Sequence, residues 1–315
     1  MENKIILELD KDSRVKKKEL AQKTKKSPQM ISYLIKRAES EKIIERYTTN
    51  IDPARFGLIN LYVFLAYTKF TKEDLRDVKQ YLIKEDYVTY IEELSHGVDL
   101  LVEYTVPNLS FFNKKYNIFI EQFGKATETI SINPVIVKHK FIRNYLVRNS
   151  KKQYEYIYSG DRESIMLPKN VRMVLKELKS NPKSRVVDIA KSTNIDVRTI
   201  LKNIKFLEDK NIIRSFGIDI NYKITNIKSA LILINTKKFS FNDIKKIISL
   251  AKLTPEIVSA TKLIGKYGLM LKIESLSDYE EVLDKIRKEI NFHEYILYDS
   301  RSIAKNTYIP QNILD

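Results

Sequence analysis

Residues 19–48 read ELAQKTKKSPQMISYLIKRAESEKIIERYT, and the spacing within this stretch decides the fold. Leu20 and Ala21 mark the apolar side of a short segment from Lys17 to Lys23. Met30 to Ser40 then carries Ile31, Leu34, Ile35 and Ala38 at the i, i+3, i+4, i+7 spacing of one buried helical face. Ser27-Pro28 opens this helix, because a serine oxygen can accept from a free first-turn amide and proline at the first helical position forfeits no bond. Thr24 to Lys26 is too short a turn to let the two helices part. With Ile5, Ile6 and Leu9 on one face of a preceding helix at 3–10, the arrangement is a helix-turn-helix. Ile43 to Tyr47 and Thr48 to Ile51 read as two short strands, forming a wing beside the helices.

The same grammar returns 169 residues later and holds for roughly a hundred positions. Ile5 falls on Val174, Leu9 on Leu178, Leu20-Ala21 on Ile189-Ala190, Ile31 on Ile200, Ile35 on Ile204 and Ile43-Ile44 on Ile212-Ile213. Asp196 replaces Ser27, one good capping side chain for another. The correspondence continues through Leu58 on Ile227, Phe70 on Phe239, Val88 on Ile257 and Leu94 on Leu263. A period this long is a whole polypeptide unit, so the chain reads as a duplicated protein fused head to tail.

Beyond each helix-turn-helix the pattern changes to strand and helix in βαββαβ order. The first copy runs through 60–68, 72–85, 87–94, 98–106, 108–123 and 128–137, the second through 228–236, 241–252, 256–264, 267–274, 277–290 and 293–300. This order predicts a ferredoxin-like antiparallel sheet with both helices on one face. Leu61 to Leu65 and Leu231 to Ile234 are apolar on both sides of the strand, so each sheet needs a second cover, and the sister sheet is the obvious one. The fold class expected is α+β, two winged helix-turn-helix domains (1–52 and 168–221) alternating with two βαββαβ domains (53–150 and 222–315), joined by a linker at 151–167.

Charge supplies the first functional constraint. Lys plus Arg number 56 against 40 Asp plus Glu, a net of +16, which favours polyanionic partners. The excess is uneven, since residues 1–50 carry 13 basic and 8 acidic side chains and residues 51–100 carry 6 and 9. Cysteine is absent, which removes disulfides, thiolate metal sites and a cysteine nucleophile. No apolar run resembles a signal peptide or approaches the roughly 18 residues needed to cross a bilayer, so a cytoplasmic, nucleoid-associated protein without membrane attachment is expected.

The phrases at 19–48 and GKYGLMLKI at 265–273, in a helix-turn-helix followed by βαββαβ, resemble the Lrp/AsnC (feast/famine) family of prokaryotic transcription regulators. The resemblance covers nearly the whole chain twice. It implies double-stranded DNA as partner, an intramolecular pseudo-dimer in place of the family's usual two-chain dimer, further homo-oligomers, and a small-molecule effector at a Gly-x-x-Asp turn in the sheet domain. The first copy offers His96-Gly97-Val98-Asp99, which keeps the aspartate, and the second offers Gly265-Lys266-Tyr267-Gly268, which keeps the glycine. Neither copy is whole. His96, Asp99, Gly265 and Tyr267 are therefore the effector candidates, against the plain alternative of hairpin turns that need glycine.

The candidate DNA readers are Ser27, Gln29, Ser32, Tyr33, Lys36 and Arg37 in the first copy and Arg198, Thr199, Lys202 and Lys205 in the second. Side chains able to bond base edges near a helix start, with cations for phosphates further along, suit major-groove docking. In the second copy Leu201 and Phe206 replace Ser32 and Arg37, which suits either thymine methyls or packing against a neighbour. Three histidines, His96, His139 and His293, lack metal-ligand spacing, and no phosphate loop, nucleophile elbow or carboxylate dyad is present; Glu92-Glu93 and Glu280-Glu281 are adjacent and point apart. No cofactor and no catalytic residue is expected. Two rivals stand beside the regulator: an enzyme similar to sirohaem decarboxylases, for which His96 with Tyr267 is the sole constellation, and an architectural chromatin protein that grips phosphates.

Overall fold

A computed structural model describes residues 3–68, 71–147, 154–237, 239–289 and 294–315; Phe70 and His293 lie outside them. The first head consists of α1 (Asn3–Lys11), α2 (Lys17–Thr24) and α3 (Pro28–Ser40), followed by strand β1 (Ile44–Ile51). Strand β2 (Ile59–Tyr67), α4 (Lys72–Lys84), β3 (Val88–Leu94), β4 (Leu100–Val106), α5 (Leu109–Phe123) and β5 (Thr127–Phe141) make the first βαββαβ unit. Within the stretch 151–167, β6 (Glu155–Ser159) pairs antiparallel with β5. The second head is α6 (Lys169–Ser180), α7 (Val186–Thr193), α8 (Val197–Asp209) and β7 (Ile213–Ile220), with a short helix α9 (Tyr222–Thr225) after it. Strand β8 (Lys228–Asn235), α10 (Phe241–Leu253), β9 (Ile257–Leu263), β10 (Tyr267–Ser275), α11 (Glu280–Glu289) and β11 (Tyr295–Asn306) complete the second unit.

The helix-turn-helix elements form for the reasons their sequence gives. Ser27 Oγ accepts from Met30 N at 3.1 Å, and Asp196 Oδ1 accepts from Thr199 N at 2.9 Å. Between α2 and α3 the chain reverses through Lys25 at φ 57°, and its counterpart Asn194 does the same at φ 54°. Ile5, Ile6, Leu9, Leu20, Ala21, Ile31 and Ala38 bury together in the first head; Val174, Leu175, Leu178, Ile189, Ile200 and Leu207 do so in the second.

The two sheets share both an interior and their edges. Leu61, Val63 and Leu65 point to the layer beneath α4 and α5, whereas Tyr62 and Phe64 join Leu101, Leu231, Leu233, Leu263, Met270 and Tyr298 in an inner core built from both units. Ile232 and Ile234 turn to the side of α10 and α11. The doubly apolar strands are thus covered by helices on one face and by the sister sheet on the other. The edges also close: β3 pairs with β11 and β5 with β9, so the order β2-β4-β3-β11-β8-β10-β9-β5 returns through the β2–β5 pairing to its start. Closure leaves fewer open strand edges than two stacked sheets would.

The wing differs from the sequence expectation. Residues 43–47 and 48–51 are not two strands of a hairpin; β1 is continuous and pairs antiparallel with β7, its counterpart from the other repeat. Nothing between Tyr47 and Thr48 is a turn former, so the backbone stays extended and finds its partner far along the chain. Thr48 pairs with Gly217, its own counterpart under the offset of 169, and Tyr47↔Ile218 mirrors Thr49↔Phe216. An antiparallel pair in which a residue meets its own equivalent has a local twofold axis through that point. Each head also packs across this ribbon: Ile218, Ile220 and Tyr222 enter the core of the first head, and Ile51 and Leu58 enter that of the second.

Candidate DNA interface

Helix α3 presents one buried and one open face. Ile31 and Ala38 face the core, while Gln29, Tyr33, Lys36 and Arg37 are exposed, Tyr33 at 60%. Not all the expected readers are equally free. Ser27 Oγ accepts the cap bond from Met30 N and keeps its O–H free to donate, and Ser32 Oγ donates to Pro28 O at 3.0 Å. Arg37 Nε donates to Glu41 Oε1 at 2.7 Å, one turn further on, and that carboxylate raises the guanidinium pKa. Lys36 has no carboxylate within ion-pairing distance among the described residues. The free chemistry of this helix is therefore a hydroxyl, an amide and a phenol near its start and an ammonium one turn beyond.

Helix α8 is built alike and decorated differently. Arg198, Lys202 and Lys205 are exposed, and Thr199 is half-buried with its amide on Asp196. That capping, led by the Thr199 side chain, holds the Asp196 carboxyl below its usual pKa. Leu201 stands 52% exposed, whereas Phe206 packs against the head's own core. Of the two apolar replacements one is thus structural and the other faces outward, a distinction that spacing alone left open.

The heads hold each other in place. Arg14 donates to Pro182 O at 2.6 Å and lies over the Phe216 ring at 5.1 Å, and Ser13 N donates to Phe216 O at 2.9 Å. Lys183 Nζ lies 2.7 Å from Glu39 and 4.2 Å from the Tyr47 ring centroid. A buried group ties the first head to the second sheet. Arg143 reaches Asp10 of α1 at 2.6 Å and Glu274 of β10 at 2.7 Å, and Tyr145 and Tyr222 each donate to Glu274 at 2.8 Å. Burial on its own would raise the Glu274 carboxyl, but the attraction of Arg143 prevails and pulls it down to about 2. No sequence motif marks this group; the signal was a charged pair, Lys272 and Glu274, in an otherwise apolar strand.

The effector candidates lie on two turns without meeting. His96, at φ 73° and exposed, sits 3.4 Å from Asp299. Asp99 Oδ2 accepts from Tyr67 N at 2.7 Å. Gly265 has φ 144°, a torsion that requires glycine, and a Cβ there would also stand 2.8 Å from Asn133 Oδ1 and displace that side-chain end. Tyr267 donates to Glu294 at 3.4 Å, and no contact joins it to His96. His139 bonds Glu155 at 2.7 Å. Glu92 and Glu93 point to opposite sides, to Lys272 at 2.8 Å and to Ser302 at 2.6 Å, as adjacent strand residues must. No helix among the described residues is long and apolar enough to cross a membrane.

Two such heads on one closed sheet define a double winged helix-turn-helix protein of the DNA-binding class. The winged helix-turn-helix DNA-binding family matches residues 2–45 and again 167–214. An HTH-type transcriptional regulator of Pyrococcus horikoshii, itself uncharacterized, is 30% identical over 128 residues, which span 39% of this chain and 85% of the relative. The regulator LrpC of Bacillus subtilis is 43% identical over 54 residues, 17% of this chain and 38% of that protein. The chain belongs with these helix-turn-helix transcriptional regulators and is Lrp/AsnC-like. Among solved structures, the siroheme decarboxylase NirDL shares the tandem fold at TM-score 0.59 and 15% identity, with 98% of this chain and 93% of that one covered.

Proposed function

We propose that this regulator works as an intramolecular pseudo-dimer, one chain reading double-stranded DNA with two unequal helices. The pairing of Thr48 with Gly217 carries the reading: a local twofold axis at that pair is what a symmetric dimer would have, and contacts between the heads such as Lys183 with Glu39 would hold α3 and α8 at a set spacing. Gln29, Tyr33 and Lys36, with Arg37 once released from Glu41, form the discriminating half. Arg198, Lys202 and Lys205 supply mainly phosphate contacts, with Thr199 on the helix start and Leu201 available to a thymine methyl. Ser27 and Ser32 act on the shape of α3.

Effector control rests on the first hairpin. A cleft of about 550 Å³ there is lined by Lys79 and Glu93, paired with each other, and by Asp99 and Arg301, so a zwitterion would enter by exchanging with that pair and meeting Arg301. The likeness to NirDL supports the fold alone, and His96 and Tyr267, the constellation the sequence offered for such an enzyme, are engaged with separate acids. We therefore favour a non-enzymatic regulator. Gel-shift and footprinting with the full chain test it: specific protection by one chain per site supports the proposal, whereas protection without sequence preference supports an architectural role.

A further inference from the structure

Beneath the β1–β7 ribbon, where both sheets converge, lies a cleft distinct from the two hairpin turns. It is lined by Lys138 and Lys140 of β5, Arg143, Tyr158 of β6, Lys272 of β10 and Tyr308. Its charges are not equally satisfied. Arg143 is held by Asp10 and Glu274, and Lys272 Nζ lies 2.8 Å from Glu92, so these two cations are neutralised within the protein. The acids that line the cleft are spent as well: Glu274 is bound to Arg143, and Asp219 lies 3.3 Å from Arg46 and accepts from Asn306 at 3.0 Å.

Lys138 and Lys140 remain. They are two apart on one strand, so they project to the same side, and neither has a carboxylate within ion-pairing distance among the described residues. Lys138 Nζ sits 5.5 Å from the Tyr90 ring centroid and 5.9 Å from that of Tyr62; Lys140 Nζ donates to Tyr308 Oη at 3.1 Å. Glu103 bears on Lys138 only beyond contact distance, its own carboxylate accepting from Asn60 at 2.7 Å. The Tyr158 hydroxyl is buried with no hydrogen-bond partner within bonding distance among the described residues. Two lysines drawn from water against aromatic faces, beside an unsatisfied hydroxyl, are a preformed receptor for negative charge. The offset of 169 carries Lys138 and Lys140 onto Thr307 and Ile309, so the second repeat has no equivalent pair.

We infer that this cleft binds one small oxyanion, a free phosphate or a compact carboxylate, between Lys138 and Lys140. Its volume of about 70 Å³ takes such an ion and is under half of the roughly 150 Å³ cavity that accepts a benzene ring. Because Arg143 and Asp219 join its wall to the heads, the bound ion would rest against the elements that set their spacing.

The test is calorimetric titration of the full chain, without DNA, with inorganic phosphate, sulfate and succinate in turn at constant ionic strength. One saturable event per chain is expected, weakened at least tenfold by Lys138→Gln and by Lys140→Gln, and unchanged by substitution of the exposed Lys114, Lys114→Ala. The identity of the best-binding ion separates phosphate from carboxylate sources. Tyr308→Phe, which keeps the ring, should weaken binding by a smaller factor and serves if a lysine variant fails to fold. Absence of any saturable event, or binding indifferent to the Lys140 and Tyr308 substitutions, overturns the inference. DNA binding can survive either result, so the two proposals fail separately.

Discussion

Replacing Arg143 by methionine would remove the cation from the most deeply buried charged group in the described structure. Arg143 is 6% exposed and Glu274 is fully buried, so neither water nor counterions can substitute. Removing one partner of such a pair costs about 3–5 kcal/mol, because the other charge stays buried without compensation. The hydroxyls of Tyr145 and Tyr222 remain on Glu274, and the Arg143 backbone amide keeps its bond to Asp10 at 2.9 Å, which places the loss near the lower end, about 3 kcal/mol. The depressed Glu274 pKa agrees in sign, since its carboxylate is held ionised in the fold against burial chiefly by Arg143. The assay is urea denaturation at pH 7 followed by far-UV circular dichroism. Arg143→Met should lower stability by about 3 kcal/mol, and the double variant Arg143→Met/Glu274→Met should recover much of it. A single-variant loss below about 1 kcal/mol would refute the claim that this group bears on stability.

The same carboxylate sets a pH window: its folded pKa is depressed, so its contribution is full above 4.5 and is lost as pH falls from there toward about 2. Wild type minus Glu274→Gln, measured by denaturation at several pH values, should shrink across that window, and a constant difference would contradict the assignment. Lys36→Ala should lower the slope of log K against log salt for DNA by about 0.9, and Arg37→Ala by less, since Arg37 must first leave Glu41. Identical slopes for both variants and wild type in a salt series would remove α3 from the interface. Leu201→Ala should leave stability within about 0.5 kcal/mol, its side chain being exposed, while relaxing base preference in one half of the site; a large shift in the denaturation midpoint would show it to be structural.

Local structure was legible in the sequence wherever it depends on neighbours in the chain. Ser27 and Asp196 cap as their positions imply, and Leu61 to Leu65 alternate between two cores because both sides of that strand are apolar. The pairing of β1 with β7 was not legible, because strand partners 169 residues apart leave no mark between them beyond the lack of a turn at Tyr47-Thr48. Closure of the sheets through β3–β11 and β5–β9 was equally hidden, since face packing and edge pairing ask for the same residues. At the candidate DNA interface, type and spacing identified the exposed face of α3, but not that Ser32 turns back to Pro28 or that Phe206 is absorbed into its own core. Arg143, Lys138 and Lys140 escaped notice for a physical reason: each acquires its role from groups on several distant strands, and none sits in a motif.

The claim that one chain is the complete two-headed reader is tested most directly by selecting sites from random duplex DNA with the full chain, then measuring stoichiometry and footprint. The account expects one chain per site and two unlike half-sites, the half under α3 more sharply defined in sequence and the half under α8 more sensitive to salt. A single short palindrome, occupied by two chains through α3 alone, would contradict it.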